Sequence, residues 1–119
     1  MPLVVVQYKE EQVLEDILTK LARELPDIVA SALNTPEHKD GTLTPDDIEV
    51  WVQKSGKYDV NTKDLEIIIW ANFYPERQTN LEGRKQTIID DVRTFFADYD
   101  RNLSGFVWVL LNPAAFGNL

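Results

Sequence analysis

The chain has 119 residues, of which 44% are hydrophobic and 27% are charged, a composition typical of one globular domain with a single core. The net charge of -8 disfavours binding to a nucleic-acid backbone, and the absence of cysteine excludes disulfides, thiolate metal sites and thiol nucleophiles. No apolar run is long enough to span a bilayer, and Met1 is not followed by a signal peptide, so we expect a single cytoplasmic domain over residues 1–119 that binds neither membrane nor nucleic acid.

The first half of the chain predicts a strand, a long helix and a second strand. Residues 3–6 are consecutively apolar, which is typical of a strand buried on both faces. Apolar residues then recur at the helical period over residues 10–33, and Pro26 inside this stripe predicts a kink or a break because it lacks a backbone N–H. Residues 34–44 lack periodicity and predict a surface connection, and the alternation over residues 48–53 predicts the second strand.

The second half of the chain repeats this order. Residues 54–63 are rich in polar and turn-forming residues and predict a loose connection. Residues 65–73 contain a run of consecutive apolar side chains and predict another strand buried on both faces. Asn80 is a candidate cap for a helix that ends near Tyr99, and residues 106–111 predict the last strand.

The predicted order is that of two consecutive β-α-β units. Right-handed crossovers place both helices on the same face of one four-stranded sheet, so we predict an α+β fold. The other face is left bare although its strands are apolar, and further copies of the chain are its expected cover. A lysine at Val107 or Val109, whichever faces away from the helices, is expected to dissociate or unfold the oligomer.

Met1 and Pro2 are the first residues that suggest chemistry. A small second residue permits removal of Met1, which leaves the secondary amine of Pro2 at the start of the chain. At the end of a buried strand an amine loses hydration, and this desolvation lowers its pKa, so that its neutral form acts as a general base near neutral pH. The alternative is that the pair has no function, since many proteins begin with these two residues.

The chain resembles the tautomerase superfamily, which includes macrophage migration inhibitory factor, 4-oxalocrotonate tautomerase and malonate semialdehyde decarboxylase. The resemblance rests on Pro2, on the apolar strand that follows it, on the length of 119 residues and on the two β-α-β units. It implies a homotrimer and an isomerase without metal or cofactor, in which Pro2 transfers protons on a small keto or enol carboxylic acid. A decarboxylase or hydratase of the same superfamily and a trimeric binding or scaffold protein are the alternatives.

The resemblance also suggests residues that bind the substrate. Family members carry an arginine after the third strand that binds a substrate carboxylate, and Arg77 stands in that place; a guanidinium suits this task because it forms two parallel hydrogen bonds. The alternative is a solvated loop arginine, and Arg84 is a second candidate or a surface residue. The decarboxylase branch has an aspartate before the second strand. Asp47, offset by one residue, either holds the proline cation or a water, or is a turn residue after Pro45.

Other positions depart from the family pattern. Glu49 stands where the 4-oxalocrotonate branch has an arginine, and a carboxylate there would repel an acidic substrate. Phe106 and Trp108 stand near the tyrosine and asparagine of the inhibitory-factor branch and are candidate substrate-binding residues, with packing in the core or the trimer as the alternative. His38 lies among charged loop residues and is expected to be solvated.

Overall fold

The computed structural model describes residues 2–119. Within this range the strands are β1 (Leu3–Tyr8), β2 (Glu49–Lys54), β3 (Leu65–Asn72) and β4 (Gly105–Asn112). The helices are α1 (Glu15–Leu33), α2 (Pro75–Gln78) and α3 (Leu81–Ala97), and a 3-10 turn covers Pro45–Asp47. None of these helices is both long and apolar enough to cross a membrane.

The strands form one sheet in the order β2-β1-β3-β4. β1 and β3 are antiparallel neighbours in its centre, and each outer strand is parallel to the central strand beside it. α1 joins β1 to β2 and α3 joins β3 to β4, so each half of the chain is one β-α-β unit. The predicted α+β class and the four-stranded sheet are confirmed.

The two faces of the sheet have different surroundings because side chains alternate along each strand. The covered face belongs to the core with α1 and α3, and its most deeply buried strand residues are Val4, Val6, Ile67 and Ile69. The open face carries the strand residues that alternate with those of the covered face, and its apolar members are Leu3, Val5, Trp51, Ile68, Trp70, Phe106, Trp108 and Leu110. Val107 and Val109 pair with Ile67 and Ile69 and therefore lie on the covered face, so the expectation that one of them faces away from the helices is wrong.

α1 differs from its prediction in its start and at its proline. It begins at Glu15 rather than at residue 10, and it continues through Pro26 to Leu33 without a break. Leu25 and Val29, on either side of Pro26, are both fully buried. Their burial anchors the helix on both sides of the proline, which offsets the loss of one backbone hydrogen bond.

The connection from β3 to α3 contains a short helix that the sequence analysis missed. This helix, α2, begins at Pro75, where a proline costs no helical hydrogen bond. α3 then follows Asn80, but Asn80 has a left-handed backbone with a φ of 59° and its side chain caps no helical N–H. A Cβ on Gly83 would lie 2.4 Å from Oδ1 of Asn80, so glycine leaves the space that this side chain occupies.

Candidate active site

Pro2 lies at one end of the sheet, here called the proline end, where β1 and β2 begin and β3 and β4 end. It leads directly into the central strand β1, and its side chain is fully buried. Its carbonyl oxygen accepts a hydrogen bond of 3.1 Å from the backbone N–H of Glu49 at the start of β2. The position of Pro2 is therefore fixed by the sheet, while the predicted removal of Met1 concerns a residue outside the described range.

Arg77 is buried near the proline end, with 2% of its surface exposed. Its Nε donates to the carbonyl of Leu33 at 3.1 Å and to the hydroxyl of Thr35 at 3.3 Å. Nη1 donates to the carbonyl of Asn72 at 3.1 Å, and Nη2 to that of Gly41 at 3.4 Å. The guanidinium thus joins the end of α1, the following loop and the end of β3.

These contacts correct the expectations for Arg77. The alternative of a solvated loop arginine is wrong because the side chain is buried. The geometry also favours a structural role over binding of a substrate carboxylate, since every nitrogen of the guanidinium already donates to a protein oxygen. The backbone of Gly41 packs so closely against Thr35 that a Cβ on Gly41 would lie 2.0 Å from the Thr35 carbonyl oxygen. Any larger residue would therefore displace the loop that Arg77 holds.

The ring of Tyr74 packs on Arg77 and carries a second aromatic ring, that of His38. The centre of the Tyr74 ring lies 4.8 Å from the guanidinium carbon of Arg77. The imidazole of His38 stacks on the Tyr74 ring, with the two ring centres 3.8 Å apart. Burial lowers the pKa of Arg77 from its ordinary value; Tyr74 opposes this shift and the nearby positive charge of Arg84 adds to it. His38 is half-buried in this stack and therefore less solvated than expected, and nothing in its local sequence indicates the contact.

Arg84 supports the same end of α1 from α3. Its Nη1 donates to the carbonyls of Ala32 at 3.0 Å and Asn34 at 3.1 Å. Its Nε and Nη2 donate at 3.4 Å to the carbonyls of Thr79 and Glu76. The last turn of α1 has no basic residue of its own, and a cation at a helix C-terminus is favourable. Arg84 therefore caps α1 and is not the freely solvated surface residue considered above.

Asp47 is engaged in a local turn next to the proline end. Its Oδ2 accepts hydrogen bonds from the backbone N–H of Thr44 at 2.8 Å and from the Thr44 hydroxyl at 3.3 Å. This capping box starts the 3-10 turn that leads into β2. The contacts support the turn alternative for Asp47. Glu49 is an exposed residue whose Oε1 accepts a hydrogen bond of 2.7 Å from the indole of Trp51.

Phe106 and Trp108 do not meet Pro2 within one chain. Both lie on the open face in the first half of β4, with their rings in edge-to-face contact at 5.9 Å. Phe106 is 39% exposed and Trp108 is 53% exposed. Since β4 ends at the proline end, these side chains lie toward the opposite end of the sheet. A role for them beside Pro2 requires a second copy of the chain.

Several solved structures share the fold of this chain. No family model and no curated protein matches the sequence. A structure of 5-carboxymethyl-2-hydroxymuconate delta-isomerase is similar with a TM-score of 0.67 at 12% identity, over 99% of this chain and 89% of that one. A macrophage migration inhibitory factor-like protein from Entamoeba histolytica is similar with a TM-score of 0.59 at 15% identity, over 95% and 88% of the two chains. A fused 4-OT symmetric trimer also has a TM-score of 0.59, at 14% identity over 93% and 85%. The chain therefore has the tautomerase fold.

Proposed function

We propose that this chain, which has the tautomerase fold, is an isomerase that uses the amine of Pro2 to transfer a proton on a small keto or enol carboxylic acid. The observation that carries the proposal is the full burial of Pro2 at the start of a central strand, where its carbonyl is bonded to β2. After removal of Met1, a rigid secondary amine stands in a fixed direction at the end of the sheet. Such an amine is suited to accept and return a proton.

The proposed step begins with the neutral amine of Pro2. Its nitrogen takes a proton from the carbon next to the substrate carbonyl, and the electron pair of the broken C–H bond forms the double bond of an enolate. The same nitrogen then returns the proton to the enolate at a different atom, which completes the isomerisation. Among the described residues, no carboxylate forms an ion pair with Arg77, so its charge near the proline end disfavours a second cation and supports a neutral amine. In this proposal Arg77 is a positioning residue.

We further propose that the active form is a cytoplasmic homotrimer. The open face exposes Trp51 and Trp108 to 53% each and Trp70 to 38%, and an apolar surface of this kind marks an interface. One of the similar structures is itself a trimer. Association through the open face would also bring Phe106 and Trp108 of one copy near another copy, which keeps them as proposed substrate-binding residues.

The proposal is tested by comparing the purified chain with Pro2→Ala. An intact mass spectrum first establishes that Met1 is absent. Tautomerisation of phenylpyruvate or of 2-hydroxymuconate is then followed by absorbance, and we expect Pro2→Ala to lose about 10²–10⁴-fold in rate. Pro113→Ala is the matched control, because Pro113 is an exposed residue outside the helices and strands. Retention of Met1, or equal rates for Pro2→Ala and the native chain, would contradict the proposal.

A trimeric binding or scaffold protein is the second candidate. It is favoured by the engagement of Arg77 with protein oxygens, which leaves the proline end without an identified carboxylate ligand. A nitrogen-15 NMR titration of Pro2 distinguishes the candidates. An amine that titrates as in a free peptide favours the scaffold, and one that is neutral near neutral pH favours the tautomerase. An amine that stays cationic favours the decarboxylase or hydratase alternative.

A further inference from the structure

A cavity of about 420 Å³ lies between α3 and the start of β4, at the opposite end of the sheet from Pro2. Its apolar lining includes Leu65, Ile67, Val92, Phe96 and Leu103. Two basic residues, Arg93 from α3 and Arg101 from the following loop, also line the cavity. The rest of the lining consists of Ile89, Asn102, Ser104, Gly105, Phe106 and Val107. The cavity thus combines an apolar interior with two guanidinium groups.

The charge of this cavity is opposite to that of the whole chain. The net charge of the protein is -8, yet the cavity lining contains Arg93 and Arg101 and no aspartate or glutamate. Asp98 and Asp100 occur in the same stretch of chain but lie outside the lining. The cavity is therefore a locally positive site on an acidic protein.

The guanidinium groups of Arg93 and Arg101 are also free to donate hydrogen bonds to a ligand. In residues 2–119 neither side chain donates a hydrogen bond to a protein oxygen or forms an ion pair, and Arg93 is exposed while Arg101 is half-buried. This distinguishes them from Arg77 and Arg84, whose nitrogens donate to carbonyl oxygens at the end of α1. A guanidinium with free N–H groups beside an apolar cavity is arranged to receive an anion.

We propose that this cavity binds a small carboxylate with an apolar body, such as an arylalkanoate, at the opposite end of the sheet from Pro2 of the same chain. The body would pack against the apolar lining, and the carboxylate would accept hydrogen bonds from Arg93 and Arg101. β1 separates the two ends of the sheet by about 20 Å, so a ligand of this size in the cavity does not reach Pro2 of the same chain. The proposal does not rest on catalysis by Pro2.

The test uses 4-phenylbutyrate and its neutral amide as probes in isothermal titration calorimetry with the full chain. We expect the carboxylate to bind about tenfold or more tightly than the amide, because hydrogen bonds to charged groups are the stronger ones. The double variant Arg93→Gln, Arg101→Gln is expected to remove this difference. Arg23→Gln on the exposed side of α1 is the matched control, and it should bind both probes as the native chain does.

The location is tested by amide NMR shifts in the same titration. Shifts centred on Leu103 and Gly105 support the cavity, whereas shifts centred on Ile48 and Asn72 assign the carboxylate to the proline end and overturn the proposal. Ile89→Trp fills the cavity, since Ile89 lines it, and it should reduce binding while the thermal midpoint shows that the variant is folded. Equal affinity for the carboxylate and the amide, or no binding at millimolar concentration, also overturns the proposal.

Discussion

The two faces of the sheet carry similar side chains but have different surroundings. Neighbouring residues of β3 show the contrast most directly, since Ile69 is completely buried on the covered face and Trp70 is 38% exposed on the open face. Both β-α-β units place their helix on the same side, as right-handed crossovers require. The strands are apolar on both faces, but the helical connections cover only one of them. The other face is therefore left for contact with another molecule.

The largest difference between two variants is expected when lysine replaces Ile69 on the covered face or its neighbour Trp70 on the open face. Ile69→Lys places an unpaired charge in the core, so we expect it to lose at least about 4 kcal/mol in the free energy of unfolding, measured by urea titration. Trp70→Lys is expected to keep its far-UV circular dichroism spectrum and to sediment as a monomer, while the native chain sediments as a trimer. A monomeric native chain, or unfolding of both variants alike, would show that the two faces do not differ in this way.

At the proline end, Arg77 holds the end of α1 on the covered face to the end of β3. Arg77→Gln is expected to lose about 3–5 kcal/mol, because buried carbonyls at the end of α1 and in the following loop lose their donors. The control is Arg93→Gln, which removes an exposed arginine and should change stability by less than about 0.5 kcal/mol. Chemical denaturation measures both values. A small effect of Arg77→Gln would return this arginine to the set of candidate substrate ligands.

The smallest effect on stability is expected at the 3-10 turn that leads into β2. Asp47→Ala removes the acceptor of the capping box, and we expect a loss of about 1 kcal/mol in thermal or chemical unfolding. Asp46→Ala is the matched control, since the carboxylate of Asp46 takes no part in the capping box. This variant should leave the stability nearly unchanged. If Asp47 instead holds the proline cation, Asp47→Ala would change the pH profile of the proposed reaction as well as stability.

Much of the fold was predictable because it depends on local patterns. Apolar runs and hydrophobic periodicity identified the four strands and the two long helices, and the order of these elements implied the β-α-β units and the side that the helices share. Positions were less predictable where a local preference competed with packing. Pro26 did not break α1 because Leu25 and Val29 are buried beside it, and Asn80 did not cap α3 because its backbone is left-handed, whereas a capping residue is extended.

The candidate site shows the limit of local patterns more clearly. Pro2 was identified from the sequence because its chemistry depends on its own amine and on the strand that follows it. The role of Arg77 was not, since a pattern of neighbours shows a charged residue in a loop but not its partners. Those partners, Leu33 and Gly41, lie 44 and 36 residues away along the chain. They become available only when α1 and β3 pack together, because burial then removes water from their carbonyls and leaves the guanidinium as the donor.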